Sequence, residues 1–299
     1  MKGNLPKAVR SALNRLSFGP CTQRPLTAVG SAAGISLAVE AVVDLEPTSG
    51  RSAIVVATDS DSPLVRATLE AALEQWSPAR SWSVRLRLRS EIPPAKGLKS
   101  SSAVGGAVAR AVAGALHLLV TNEEVGRLSA DVSQAIGISA TGAFDDALAT
   151  LEPGVHVTDN PARRRLRTDS LDPSWQVILW IPHHAHLPSP VYRDRFHAER
   201  DEGRSAEEAA LRGDPLAAMR ANTEVVERVV GYDYARLRRE LLRRGALGAG
   251  VSGLGPALAI VTPPERISTV LRTLPPGEGD ILVTRFTTGP LDFPSEVAL

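Results

Sequence analysis

The chain is short of the residues and patterns that mark several large classes of protein. Its 299 residues contain one cysteine, Cys21, which excludes an internal disulfide or a zinc site built on several thiolates and fits a reducing compartment. No run of about 18 apolar residues occurs, so a membrane-spanning helix is not expected. The N-terminal stretch lacks a long apolar core, and a secretory leader is not expected either. Charge of one sign is missing too: 34 Lys and Arg face 33 Asp and Glu, a formal net charge of +1. A dedicated nucleic-acid binder usually carries a basic excess. Lysine itself is rare, and Lys2, Lys7, Lys96 and Lys99 are all there is. The expectation is a cytoplasmic, globular protein, a monomer or homodimer, without nucleic-acid or membrane partners.

What is present reads as mixed strands and helices. The segment Leu26–Leu45 predicts one or two strands with a glycine-containing turn, and Arg51–Thr58 another strand. Helical spacing covers Pro63–Trp76 after a cap at Asp61-Ser62. Trp82, Val84, Leu86 and Leu88 alternate with Ser83, Arg85, Arg87 and Arg89, a half-buried strand. A proline- and glycine-containing loop, Glu91–Leu98, leads to a Ser-opened helix reaching about Val120. Asn122 caps a helix to about Ala135, and a short strand covers Gly154–Thr158. Residues 159–173 are polar, with two prolines and the run Arg163-Arg164-Arg165. They read as a linker between domains at 1–160 and 170–299. A strand at Trp175–Ile181, helices over 204–245 and a glycine-rich stretch Gly245–Pro256 follow. A strand at 257–261, a helix at 264–274 and a strand at 280–285 complete an α+β chain.

The chemistry concentrates in Pro93-Pro94-Ala95-Lys96-Gly97-Leu98-Lys99-Ser100-Ser101-Ser102-Ala103, between a strand and a helix. A glycine allows close backbone approach, and the free N–H groups at a helix start face an anion. Three hydroxyls add donors, and one can ligate a metal. A serine-capped helix after a proline loop has the same appearance on capping rules alone. The loop lacks GxxxxGK[ST], so it is not a Walker A loop.

This loop resembles the phosphate-binding loop of the galactokinase, homoserine kinase, mevalonate kinase and phosphomevalonate kinase (GHMP) superfamily, with Lys99 in place of that pattern's second glycine. Its GLKSSSA form is similar to archaeal-type shikimate kinases. Two further blocks agree: Ser139-Ala140-Thr141-Gly142-Ala143-Phe144-Asp145-Asp146-Ala147, and Gly250-Val251-Ser252-Gly253-Leu254-Gly255-Pro256-Ala257. The resemblance implies a two-domain GHMP kinase fold, with a ribosomal protein S5 domain 2-like N-terminal domain and a ferredoxin-like C-terminal domain. It implies an ATP- and Mg2+-dependent kinase that phosphorylates a small-molecule hydroxyl, with the 3-hydroxyl of shikimate as lead acceptor. Another cyclitol, homoserine or pantoate, or a catalytically silent metabolite binder, are the alternatives.

Carried over residue by residue, the resemblance places ATP on Gly97, Leu98, Lys99, Ser100, Ser101 and Ser102, and on Ser252, Gly253 and Gly255. Lys96 and Lys99, which flank Gly97, are candidates to neutralise triphosphate or a substrate carboxylate, with solvated loop lysines as the alternative. It implies Asp145 and Lys99 as catalytic, Ser139, Thr141, Gly142 and Asp145 at the substrate, and Ser102 at the metal. Phosphoryl transfer needs positioning, charge neutralisation and a carboxylate for the hydroxyl proton. Asp145 and Asp146 point about 100° apart on a helix, so one of them faces the reacting oxygen. An acidic first helical turn is the structural alternative for both.

Some features depart from the pattern or stand aside. Gln134 lies where mevalonate-type members have a metal-binding glutamate, which leaves Ser102 or Asp131 to the metal. Gly248–Gly253 spells GxGxxG without a preceding apolar strand, so a dinucleotide fingerprint is not expected. His183, His184 and His186 lack matching ligand spacing. The arginines from Arg163 to Arg167 read as a solvated charge run.

Overall fold

The computed structural model describes residues 14–17, 29–50, 53–56, 61–94, 96–139, 141–183, 195–196 and 199–288. Its first part runs β1 (Asn14–Ser17), β2 (Val29–Ile35), β3 (Val39–Thr48), β4 (Ala53–Val56), α1 (Pro63–Trp76), β5 (Ser81–Ser90), α2 (Ser100–Ala115), α3 (Asn122–Ala135), α4 (Phe144–Ala149), β6 (Val155–Asp159) and β7 (Arg164–Asp169). It continues through β8 (Gln176–Pro182), α5 (Arg200–Arg212), α6 (Pro215–Val230), α7 (Ala235–Arg243), β9 (Gly248–Val251), β10 (Leu258–Thr262), a 3-10 turn into α8 (Ile267–Leu271), and β11 (Gly279–Arg285).

Alternation sets the first layer. Val39, Ala41, Val43 and Leu45 of β3 and Trp82, Val84 and Leu86 of β5 are buried, while Arg85 and Arg87 point outward. The two strands pair antiparallel with Leu45 opposite Val84, and β4 adds to β5 in parallel. A second sheet has the order β1-β2-β6-β7. The segment expected as one or two strands with a glycine-containing turn is therefore split between two sheets. Its turn, Ser36-Leu37-Ala38, holds no glycine, and Gly30 and Gly34 lie inside β2. Leu26 to Ala28, the flanks of β4, His184 and His186 lie outside the described residues.

The third sheet has the order β11-β8-β10-β9, all antiparallel. With helices between β8 and β9 and between β10 and β11, this is the βαββαβ arrangement of a ferredoxin-like unit. Both faces of its central strands, β8 and β10, are buried. Val177, Leu179 and Ile181 join Ala257, Ala259 and Val261 against the N-terminal core, and Ile178, Trp180, Leu258 and Ile260 pack on α6 to α8 through Val226, Val229, Leu241 and Val270. That explains the near-continuous apolar sequence of β8 and β10, and it fixes the two halves through one core.

Local signals account for the helix ends. Ser62 caps α1 by accepting from the Val65 N–H, and Asp214 caps α6 ahead of Pro215. Thr121, one residue before the expected Asn122, forms a capping box with Glu124 on α3. Helix α2 ends at Ala115 rather than Val120, followed by His117 at φ 57°.

Residues 159–173 are not an extended linker. They hold β7, paired antiparallel with β6 across a bulge between Val157 and Thr158. Charges and prolines hid it: β7 is an edge strand, and exposed charge is how an edge avoids further pairing. Arg164 pairs with Asp159, Arg165 with Glu123 and Glu152, and Arg167 with Asp169. Glycine hid another strand, β9, inside the stretch 245–256.

Candidate active site

The phosphate-type loop ends where α2 begins. Lys99 occupies the N-cap in the left-handed region, φ 57°, and Ser100, Ser101 and Ser102 form the first turn. Helix geometry gives the first N–H groups no intrahelical acceptor, so they are available to an anion. Ahead of them, Leu98 is 1% exposed in the core, anchoring the loop by its side chain and leaving only its backbone for a ligand.

The third glycine-rich segment closes on this loop. Ser252 donates its hydroxyl proton to the Gly97 carbonyl at 3.0 Å, and the Ala257 N–H donates to the Lys96 carbonyl at 3.1 Å. Gly97 has φ 78°, and a Cβ there would lie 2.3 Å from the Ser252 carbonyl oxygen. A Cβ on Gly253 would lie 2.5 Å from Lys99 Cε. Gly255 rests on the Tyr232 ring, whose hydroxyl donates to the Leu254 carbonyl at 2.8 Å. Tyr234 stacks on Tyr232 and donates to the Pro256 carbonyl at 3.1 Å.

Helix α4 brings in the carboxylates. Phe144 is fully buried beside Ala130 and Leu148, with Arg127 over its ring at 5.5 Å. That anchor places Asp145 and Asp146 in the first turn, both nearly buried. Lys99 Nζ lies 3.2 Å from Asp146 Oδ2, so the lysine pairs with the second aspartate. Asp145 is held from another side: Asn160 Nδ2 donates to its Oδ1 at 3.0 Å, and its own N–H donates to Asn160 Oδ1 at 3.1 Å. Gly30 of β2 approaches so closely that a Cβ would lie 2.3 Å from Asp145 Cγ.

Several expected residues stand elsewhere in this arrangement. Lys96 turns away from the helix start and donates to the carbonyls of Pro182 (3.0 Å) and His183 (3.4 Å) at the end of β8, so it joins the loop to the C-terminal half rather than facing phosphate. Ser139 sits half-buried with its N–H on the Ser133 carbonyl. The Thr141 hydroxyl accepts from the Ala143 N–H at 3.4 Å, and its carbonyl accepts from Arg163 at 2.7 Å. Asp131, the alternative to Ser102 for the metal, and Gln134, in the family's glutamate position, are engaged by the same arginine: Arg163 donates to Asp131 Oδ1 at 2.8 Å and to Gln134 Oε1 at 2.6 Å. Sequence reasoning missed Arg163 and Asn160 because a three-arginine run beside a proline has the composition of a solvated turn.

Other sequence features resolve simply. GxGxxG at Gly248–Gly253 is a strand followed by a turn into another strand, without the helix a dinucleotide site requires. Among the described residues no cluster of three or more His, Cys, Asp or Glu is placed to hold a metal. No helix among them is long and apolar enough to cross a membrane.

A profile described as the GHMP kinases N terminal domain matches residues 63–154, the span holding the loop, α2 and both aspartates. The chain is 34% identical over 245 residues to a shikimate kinase of Thermococcus kodakarensis, covering 81% of this chain and 89% of that one. It is 36% identical over 237 residues to a shikimate kinase of Methanothrix thermoacetophila, covering 77% of each. The chain belongs to the GHMP kinase family. A Lactococcus lactis galactokinase structure, complexed with galactose, matches its fold at TM-score 0.70 and 12% identity, over 96% of this chain and 95% of that one. The protein is thus a small-molecule kinase with ATP as co-substrate, built on the two-domain GHMP fold.

Proposed function

We propose that this GHMP kinase transfers the γ-phosphoryl group of ATP to the 3-hydroxyl of shikimate, giving shikimate 3-phosphate and ADP. The acceptor rests on the two relatives named shikimate kinase, which align over most of the chain. The observation that carries the catalytic reading is the convergence at one point of the α2 N-terminus, the 252–255 turn and two nearly buried aspartates.

Each part then has a task. The backbone of Gly97, Leu98 and Lys99 and the first turn of α2 hold the triphosphate, and the Lys99 ammonium balances charge on the transferring group. Asp145 takes the proton of the acceptor hydroxyl as its oxygen bonds to phosphorus and the bond to the β-phosphate oxygen breaks. Asp146 holds Lys99 in place. Ser139, Thr141 and Gly142 border the acceptor. Ser102, with the nucleotide's own phosphates, would hold a magnesium ion, since Mg2+ keeps several waters and needs few protein ligands. When bound it neutralises phosphate charge.

The test is ADP release with Mg-ATP against shikimate, quinate, aminated cyclitols, homoserine, pantoate and mevalonate. Turnover with shikimate is expected. Turnover with another member alone would overturn the acceptor and keep the kinase. ATP binding without turnover on any would overturn the proposed acceptors together and favour a metabolite binder.

A further inference from the structure

We infer that Asn160 and Arg163, in the β6–β7 turn, are positioning residues that hold the Asp145 carboxylate for proton transfer. The inference rests on the role proposed for Asp145 and extends it to side chains that do not meet the substrate.

The physical basis is a two-step clamp. Asn160 is 5% exposed, and both ends of its amide are used on Asp145. Its Nδ2 donates to Asp145 Oδ1, and its Oδ1 accepts from the Asp145 N–H. The Asp145 N–H, which can only donate, fixes which end of the amide faces the carboxylate, and the Thr158 hydroxyl adds a second donor to the same Oδ1 at 2.8 Å. Thr158 lies opposite the bulge in β7, where Leu166 is the extra residue between Arg165 and Arg167.

Arg163 fixes the platform on which Asn160 stands. Its guanidinium donates to the Asn160 carbonyl, the Thr141 carbonyl, Asp131 and Gln134. These partners lie in the turn that carries Asn160, the turn that launches α4, and α3. One planar fork thus ties three segments, a geometry an ammonium cannot match. The contact is tight enough to constrain Gly142, where a Cβ would lie 2.3 Å from Arg163 Nη2. Arg163 itself takes φ 49°, and Ala143, at the start of α4, also takes φ 49°. Non-glycine residues in this region cost free energy and persist where surrounding contacts over-determine them. A fold that only had to end a hairpin could place glycine or asparagine at Arg163.

The experiment compares kcat per folded protein, KM for ATP and thermal unfolding across a small set of variants. Asn160→Asp keeps the shape but replaces the Nδ2 donor by an oxygen facing Asp145. It is expected to lower kcat by about 10²-fold, with KM for ATP changed less than about threefold. Thr158→Val, which reaches Asp145 only through Asn160, is expected to lower kcat several-fold, and Thr158→Ser to restore it. Arg163→Lys is expected to lower kcat about tenfold or more with ATP binding kept. Wild-type kcat in Asn160→Asp and Thr158→Val, with Asp145→Asn inactive, would overturn the positioning role alone. Wild-type kcat in Asp145→Asn would overturn the role of Asp145 itself. Loss in Thr158→Val that Thr158→Ser does not restore, tracking only a lower unfolding temperature, would reduce the clamp to a structural one and overturn the inference.

Discussion

Lys99 and Asp146 face each other from the start of two different helices, with Nζ 3.2 Å from Oδ2. The aspartate side chain is 4% exposed and the lysine 26%, so one partner is desolvated while the other still meets water. The pair stands at the N-terminus of α2, where partial positive charge already collects. The result is a strongly polar point between the N-terminal helices and the glycine-rich turn of the C-terminal half, suited to a group whose negative charge moves during reaction.

Replacing Lys99 removes a cation from beside the nearly buried Asp146 carboxylate. Lys99→Met is expected to cost roughly 1–3 kcal/mol of stability, below the cost of breaking a fully buried pair because water reaches Lys99. It is also expected to lower kcat/KM by more than about 10²-fold. The double variant Lys99→Met with Asp146→Asn should regain most of the stability and none of the activity. Urea unfolding beside ADP release separates the two effects, and recovery of activity in the double variant would contradict a catalytic lysine.

Two glycines predict opposite outcomes for the same substitution. At Gly97 the new methyl meets backbone, with the Ser252 and Gly255 carbonyl oxygens at 2.3 and 2.6 Å, so the loop and the turn must part. Gly97→Ala should lower the unfolding temperature and weaken ATP binding. At Gly253 the nearest atoms are Lys99 Cε and Nζ, at 2.5 and 2.9 Å, the far end of a flexible side chain. Gly253→Ala, at φ 59°, should cost only about 1–2 kcal/mol yet displace the ammonium and lower kcat strongly. Differential scanning calorimetry and isothermal titration with ATP would tell them apart; equal losses of stability would contradict the contact geometry.

The loop and its helix were legible because each is a local pattern with a local cause. Period-two alternation marked β5, and apolar runs marked β8 and β10. Long-range facts were not. Nothing local distinguishes Asp145 from Asp146, since the choice depends on Lys99 and Asn160 arriving from other segments. Lys96 had the same appearance as Lys99, and only the position of the end of β8 draws it away. Arg163 sat in a run of three arginines, and burial of one member depends on α3 packing beside the turn. Gln134, a departure from the family pattern in sequence, is a partner of that arginine.

Arg238 and Glu227 form a two-pronged pair, Nε to Oε1 and Nη2 to Oε2 both at 2.8 Å, with side chains 8% and 9% exposed. Glu227 also ends the helix by accepting, at its carbonyl, from the N–H groups of Gly231 and Tyr232. The pair therefore supports the segment that lays Tyr232 under Gly255. Arg238→Met should destabilise by about 3–5 kcal/mol. Arg238→Met with Glu227→Leu should recover much of that loss. Chemical denaturation of the three proteins checks it, and additive losses would contradict a coupled pair.

Tyr234 gives the stability curve an alkaline limb. Burial first, and the nearby Glu227 charge second, push its hydroxyl from 10.0 up to about 12. The neutral form is the one that donates to the Pro256 carbonyl. Below the unfolded value both states keep the proton, so the full contribution is present. As pH rises from about 10 to about 12 the unfolded chain releases its proton first, and the folded state loses stability over that window. Tyr234→Phe lacks the donor and should be about 1 kcal/mol less stable near neutral pH, but it has no proton there to lose. The gap between the two proteins should therefore close and then change sign as pH rises from about 9 to about 11.5. Urea midpoints across that range measure it. A gap that stays constant would mean that Tyr234 ionises at the same pH folded as unfolded, and that the turn over Ser252 to Pro256 is not held by a buried phenol.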